Sequence, residues 1–343
     1  MTRLQPSNNT MIQENIDITR RHTFGIKTQA RAWADYDSVE DLRQIILEAH
    51  ARELPYMPIG EGSNLLFVRD YEGLLLHSAI ATLNVISCGN NEILVQAGSG
   101  WIWDDFVAYC VAQGWHGIEN LSHIPGTVGA SAVQNIGAYG IEACDVIESV
   151  AVLDTATLQE STIKGSECGY GYRTSHFKGA WKGKYIVTSV TYRLSLSPHY
   201  RLDYGNLRAV TGETPTLQEV RNAVIDIRRN KLPEPQDMGS AGSFFVNPVI
   251  SRQHYNNLLT QYPDMPCYEV DSEQVKVPAA WLIDHLGWKG KSIGGAMVYP
   301  KQPLVIVNTG EAKAGHVVQL ANDIAFSVFE KFTIIIRPEV NYI

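Results

Sequence analysis

Two glycine-rich segments of this 343-residue chain offer backbone groups, rather than side chains, to a ligand. The first is Gly60-Glu61-Gly62-Ser63-Asn64-Leu65, which follows a strand-like run. It superficially suggests a dinucleotide loop, but Leu65 stands where G-x-G-x-x-G has its third glycine, and a strand rather than a helix follows. Two readings stay open: a plain tight turn, or a nest of N–H groups for an anion, with Ser63 and Asn64 as further donors. The second segment runs from Ile124 to Gly140 and holds four glycines in seventeen positions. It includes Pro125, Gly126, Thr127, Gly129, Ala130, Ser131, Asn135, Gly137, Ala138 and Tyr139. Small residues at this density let the backbone approach a ligand closely, at an entropic cost on folding that no buried side chain offsets. Two separated loops of this kind suit an extended dinucleotide lying across two domains.

Other chemistries find less support. His116 and His123 are seven apart, with no carboxylate pattern resembling H-E-x-x-H, so no metal site is expected. The five cysteines, Cys88, Cys110, Cys144, Cys168 and Cys267, are odd in number and form no C-x-x-C, which argues against a zinc ribbon or redox pair. With 28 Lys and Arg against 36 Asp and Glu, the net charge of −8 supplies no global attraction for nucleic acid or an anionic membrane. An anionic ligand must be held locally. No segment approaches the roughly 18 apolar residues of a membrane span, and the opening stretch lacks a signal-peptide core. A soluble, reducing, cytoplasmic setting is expected, with the first twenty or so residues a loose leader and Met11 a candidate start.

The elements that must hold the loops mix both periodicities, an α+β pattern. Ser38 with Asp41 reads as a capping box, and Val39, Leu42, Ile45, Ile46 and Ala49 recur at helical spacing, predicting a helix over 38–52. Strand-like runs follow at 56–59, 65–68 and 74–77, then at 93–97, 146–153 and 185–194, with a helix from Asp104 ended by Gly114. Trp101 and Trp103 read as packing residues. A helix from Leu217 to about Asn230 is capped by Thr216 with Glu219 and stopped by Pro233. Val317, Leu320, Ala321, Ile324, Val328 and Phe329 outline a long amphipathic helix. The β-branched run Thr333 to Ile336 is expected to form a buried strand that rejoins an earlier domain and carries Glu339 to a domain junction. Three domains are expected: 15–83 with 333–343 returning, 84–218, and 219–332.

G-E-G-S-N-L-L-F from Gly60, I-P-G-T-V-G-A-S-A-V-Q-N-I-G-A-Y-G from Ile124, G-Y-R-T-S at 171–175, K-L-P at 231–233, G-S-A-G-S-F-F-V-N-P at 239–248 and P-E-V at 338–340 occur in that order. Together they cover about Thr23 to Ile343, and the chain thereby resembles the UDP-N-acetylenolpyruvoylglucosamine reductase family. The segment Tyr200 to Leu207 ahead of the capped helix matches its tyrosine-loop, type I class. The resemblance implies that the first two domains form the FAD-binding fold of p-cresol methylhydroxylase and vanillyl-alcohol oxidase, and that the third covers the substrate. It implies reduction of UDP-N-acetylglucosamine enolpyruvate to UDP-N-acetylmuramate for peptidoglycan, with non-covalent FAD and NADPH as co-substrate. A monomer without nucleic-acid or membrane partners is expected.

The same resemblance assigns roles. Arg173 becomes the clamp on the substrate carboxylate, since a guanidinium binds a carboxylate bidentately and stays charged when buried. Ser243 becomes the proton donor to carbon, a weak acid that needs a positive neighbour such as Lys231 or a bound water. Glu339 becomes a carboxyl that polarises the developing enolate. Tyr172, Tyr204, Lys231 and Asn247 fall at substrate positions, with Tyr204 shielding the site. The residues of the two loops named above, Gly60 to Leu65 and those between Pro125 and Tyr139, fall at cofactor positions. One departure bears on diphosphate recognition: Val246 stands where many relatives carry Lys.

Overall fold

A computed structural model of the chain describes residues 12–343, which form two compact units. The first holds the described residues up to Asp17, then Gln29–Gly60 and Asp70–Val224. The second holds Ile18–Thr28, Glu61–Arg69 and Ile225–Ile343.

Two sheets organise the first unit. In one, the strands Gln13–Asp17, Gln29–Tyr36, Tyr71–Ser78 and Tyr56–Ile59 lie side by side in that order; the first pair is antiparallel and the others parallel. The helix Val39–Ala51 buries Leu42, Ile45, Ile46 and Ala49 against Ala32, Ala34, Leu74 and Leu76, the apolar stripe its 3.6-residue period sets up. Ser38 starts it, its Oγ accepting from Asp41 N at 3.1 Å and donating to the Asp41 carboxylate at 2.6 Å. Because Gln13–Asp17 is laddered to Gln29–Tyr36, the expected loose leader does not extend that far; residues 1–11, with the candidate start Met11, lie outside the described residues.

The other sheet orders Glu160–Lys164, Ile147–Asp154, Tyr185–Ser195, Glu92–Gly98 and Leu83–Cys88, all antiparallel. Against it packs the helix Trp103–Ala112, whose Trp103, Phe106, Val107 and Cys110 are fully buried. Trp103, Phe106 and Tyr192 form a ring cluster with centroids 5.0 to 5.9 Å apart, and Trp103 Nε1 finds Leu121 O at 2.8 Å. Burial pushes the Cys110 thiol up, so it behaves as a core residue rather than a nucleophile.

In the second unit the antiparallel sheet Gly239–Ser243, Val305–Asn308, Ala296–Val298, Ser292–Ile293 carries the long helix Ala314–Phe332. That helix buries Val317, Leu320, Ala321, Ile324, Val328 and Phe332, whereas Phe329, expected on the same stripe, is exposed. Thr333, at φ 55°, ends it in a left-handed turn. The strand expected at 333–336 does not form: Ile334 and Ile336 are buried and Ile335 exposed, a strand-like alternation, but no backbone among the described residues ladders with the run. Pairing resumes only at Pro338, which bridges Phe245, and at Asn341–Tyr342, which runs parallel to Leu65–Leu66. No helix among the described residues is long and apolar enough to cross a membrane.

Candidate active site

In the second unit the first glycine loop, the Ser243 strand and the Glu339 segment are bonded into one assembly. Gly62 has φ +61°, and a Cβ there would stand 2.4 Å from His22 Cβ and 2.7 Å from His22 Cα, so no other residue fits without moving backbone. Two residues on, Asn64 Nδ2 donates to Glu339 O at 3.3 Å and Asn64 O accepts from Asn341 N at 3.1 Å. Glu339 N donates in turn to Phe244 O at 2.8 Å. Ser243 therefore lies next to the residue that receives Glu339. It is exposed, follows left-handed Gly242 (φ +70°), and sits where the register of the Gly239–Ser243 strand shifts. A register shift of this kind re-aims a side chain, while buried Phe244 and Phe245 anchor the chain behind it.

In the first unit Gly60 meets the second glycine segment: a Cβ at Gly60 would stand 2.9 Å from Thr127 Oγ1 and 3.6 Å from Ala130 Cβ. The second segment is not all loop. Val128–Gln134 forms a short helix started by Thr127, whose Oγ1 accepts from Ala130 N at 3.3 Å. Gly129 is needed because a Cβ would come within 2.8 Å of Ser99 Cβ. Ser131 Oγ donates to Val128 O and bonds Tyr192 OH at 2.9 Å. Asn135, fully buried at φ 47°, donates through Nδ2 to Glu142 Oε2 at 2.8 Å and Gly171 O at 2.9 Å, and accepts from Cys144 N at 3.0 Å. The side chains of Ser131 and Asn135 thus serve the protein.

The Asn135 bond to Gly171 reaches the turn that carries Arg173. Arg173 itself is left-handed at φ 56°. Its Nη2 donates to Gly137 O at 2.5 Å, its Nη1 reaches Asn135 O at 3.5 Å, and its Cζ lies 5.5 Å from the Tyr172 ring centre. A Cβ at Gly137 would collide with Arg173 Nη1 at 2.7 Å. The clamp candidate is therefore seated on the glycine segment. Tyr204, 48% exposed, meets Tyr139 edge-to-face with centroids 6.2 Å apart. Lys231 is exposed at the end of the helix Leu217–Lys231, and Asn247 Oδ1 accepts from Ala279 N at 2.9 Å at the start of the helix Ala279–His285.

Three supporting residues escape the sequence reading. Arg221 grips Asp104 with two bonds of 2.7 and 2.9 Å, and Asp104 also accepts from His123 N at 2.5 Å, one residue before the second glycine segment. Burial pushes the Asp104 carboxyl up, but the Arg221 and His123 bonds together outweigh it and hold it below the usual carboxylate range. Glu119 is buried, which raises its carboxyl despite the Gly117 N–H at 2.6 Å. Asn120 binds Tyr139 O and Arg201 O. An acid in the first turn of a helix is a local signal for Asp104; nothing local marks the other partners.

A flat, extended dinucleotide needs close backbone, small side chains and hydrogen-bond donors. In the first unit, Gly60 and Gly129 occupy places where a Cβ would overlap protein atoms, and half-buried Ala130, Gly137, Ala138 and Tyr139 remain partly open. In the second, half-buried Ser63 and Asn64 add side-chain donors. Each set fits such a group. Residues 31–158 match the model of an FAD binding domain, and residues 234–343 match that of the UDP-N-acetylenolpyruvoylglucosamine reductase C-terminal domain. The chain is 48% identical over 334 residues to UDP-N-acetylenolpyruvoylglucosamine reductase of Bacteroides fragilis, covering 97% of this chain and 100% of that one. It belongs to the UDP-N-acetylenolpyruvoylglucosamine reductase family. The Porphyromonas gingivalis reductase is 44% identical, with 97% and 99% covered. A solved reductase from Thermus caldophilus shares the fold at TM-score 0.67, with 23% identity and 96% and 98% covered. Arg173, Tyr204 and Lys231 lie between the two matched models, in a stretch that the whole-chain reductase relatives span.

Proposed function

We infer that the chain reduces the enolpyruvyl double bond of UDP-N-acetylglucosamine enolpyruvate to give UDP-N-acetylmuramate, with NADPH as reductant and FAD as carrier. The likeness to whole reductases end to end carries the activity. Bound FAD would supply the hydride chemistry that links NADPH to the double bond. The chain's own residues then have three tasks. Arg173 holds the substrate carboxylate and stabilises the negative charge that develops there. Ser243 gives its hydroxyl proton to the neighbouring carbon, and a positive neighbour or water stabilises the alkoxide left behind. Glu339 offers its carboxyl to the enolate oxygen.

The observation that supports these roles is the bond of Glu339 N to Phe244 O, which sets proton donor and carboxyl on adjacent backbones of one unit. Around them, Tyr172, Tyr204, Lys231 and Asn247 would bind the sugar nucleotide. The loop residues from Gly60 to Leu65 and from Pro125 to Tyr139 would bind FAD. The two sheets of the first unit suit the expected pair of FAD-binding subdomains, and the substrate domain falls at 219–332. We place the enzyme in the cytoplasm as a monomer.

The test is the absorbance spectrum of the purified protein, followed by NADPH oxidation with and without the enolpyruvyl sugar nucleotide. Yellow protein with substrate-dependent oxidation is expected; bound flavin without that dependence overturns the activity. For the roles, Ser243→Ala should leave flavin reduction by NADPH nearly intact and collapse substrate reduction by about 100-fold or more. Equal loss of both half-reactions removes Ser243 as proton donor.

A further inference from the structure

We propose that Asn120 is a positioning residue for the sugar-nucleotide substrate, its side-chain amide tying the segment that presents Tyr204 to the end of the second glycine segment. The inference rests on the reading of Tyr204 as a substrate contact. Asn120 lies in the single turn Glu119–Leu121 and is 1% exposed. Its Nδ2 donates two bonds of 2.8 Å, one to Tyr139 O and one to Arg201 O. Both acceptors are carbonyl oxygens, so only the NH2 group can occupy that place; a flipped amide would set oxygen against oxygen.

The two tethered carbonyls belong to segments whose side chains meet. Tyr139 is left-handed at φ 47°, and its ring stands at 90° to that of Tyr204, with centroids 6.2 Å apart. Tyr204 Cβ is 3.6 Å from where a Cβ on Gly140 would be. Arg201 precedes Tyr204 by three residues, with Leu202 buried between them. An exposed tyrosine on a short irregular segment has no intrinsic reason to hold one position; the buried amide supplies the restraint at its root. Asn120 Oδ1, by contrast, is buried without a partner among the described residues. A buried acceptor left unpaired is destabilising. What this asparagine supplies is the paired donation.

Asn120→Ala, Tyr204→Ala and the double variant are assayed as holoenzymes for KM toward UDP-N-acetylglucosamine enolpyruvate, for kcat, and for the rate of flavin reduction by NADPH. Loss of two neutral hydrogen bonds should raise KM by about tenfold in Asn120→Ala, with the NADPH half-reaction unchanged. The double variant should be no worse than the poorer single. A raised KM in Tyr204→Ala with none in Asn120→Ala overturns the tether, and so do effects that multiply in the double variant. If Tyr204→Ala leaves KM unchanged, the reading of Tyr204 fails instead. Amide exchange over residues 200–206 then decides: faster exchange in Asn120→Ala supports the tether, unchanged exchange refutes it. Should the alanine variant not fold, Asn120→Leu keeps about the same volume, has no donor, and must give the same result.

Discussion

Replacing Arg221 by Met keeps the apolar stem of the side chain and removes the guanidinium from Asp104. Arg221 keeps 10% of its side chain exposed and Asp104 27%. Removing one partner of a buried pair costs ~3–5 kcal/mol. The partial exposure of Asp104 and its surviving bond to His123 N bring the expected loss to about 2–3 kcal/mol. At roughly 2–4 °C per kcal/mol for a unit of this size, the apo-protein should melt ~5–10 °C lower. The pH dependence identifies the cause. In the native protein Asp104 titrates below the usual carboxylate range, so its contribution is complete above the unfolded value of about 3.9 and is lost as pH falls through the folded one. In the variant, burial dominates and raises the carboxyl, and acidification relieves the cost by protonating it. The stability gap must therefore narrow from about pH 7 to pH 3. A gap that is flat with pH, a loss under ~1 kcal/mol, or an equal loss when Asp104→Asn is already present would refute the argument. Asp104→Ala, which removes the acceptor of His123 N at the entry to the second glycine segment, should also bind FAD more weakly.

Two glycines with nearly the same φ should behave differently. Gly62→Ala drives a Cβ to within 2.4 Å of His22 and should prevent stable FAD loading, whereas the space beside Gly242 is open. Gly242→Ala should cost only the left-handed strain of ~1–2 kcal/mol, read by urea unfolding; equal losses at the two sites would contradict the packing argument. Glu119, with its carboxyl raised by burial, binds its proton more tightly folded than unfolded, so native stability should fall as pH rises from about 4.3 through the raised value. Glu119→Gln should abolish that slope, and unfolding midpoints at pH 4, 6 and 8 would show it; a slope unchanged in the variant assigns it to another group.

The elements that proved legible are those whose signal is local. Ser38 with its helix, Thr216 with Glu219 at the start of Leu217–Lys231, and the apolar period of Ala314–Phe332 all declare themselves within one or two turns. The strand expected at 333–336 had the right composition and the right alternation, but a strand needs a partner backbone, and a β-branched run cannot specify one. The helix Val128–Gln134 was hidden for the opposite reason. Its one glycine, Gly129, lowers helix propensity and is there for its contact with Ser99. At the site, the motif residues could be named, yet Asn120 and Arg221 could not, since each acts through a bond spanning 81 or 117 positions.

The backbone around the second glycine segment shows why such partners are needed. Eight non-glycine residues among those described have positive φ, and four of them, His123, Asn135, Tyr139 and Arg173, lie in or beside this segment or on the turn bonded to it. Each conformation costs roughly 1–2 kcal/mol, and strain persists only where the surroundings over-determine it. The restraints are identifiable: Asp104 accepts from His123 N, the Asn135 side chain bonds Glu142, Cys144 N and Gly171 O, Asn120 binds Tyr139 O, and Lys178 Nζ donates to Arg173 O at 3.1 Å. Each of these four residues is thus held by a side-chain bond. The chemistry proposed for Arg173 and Tyr204 sits on backbone that would relax elsewhere if those side chains were cut back, so their loss should disturb binding before it disturbs the fold.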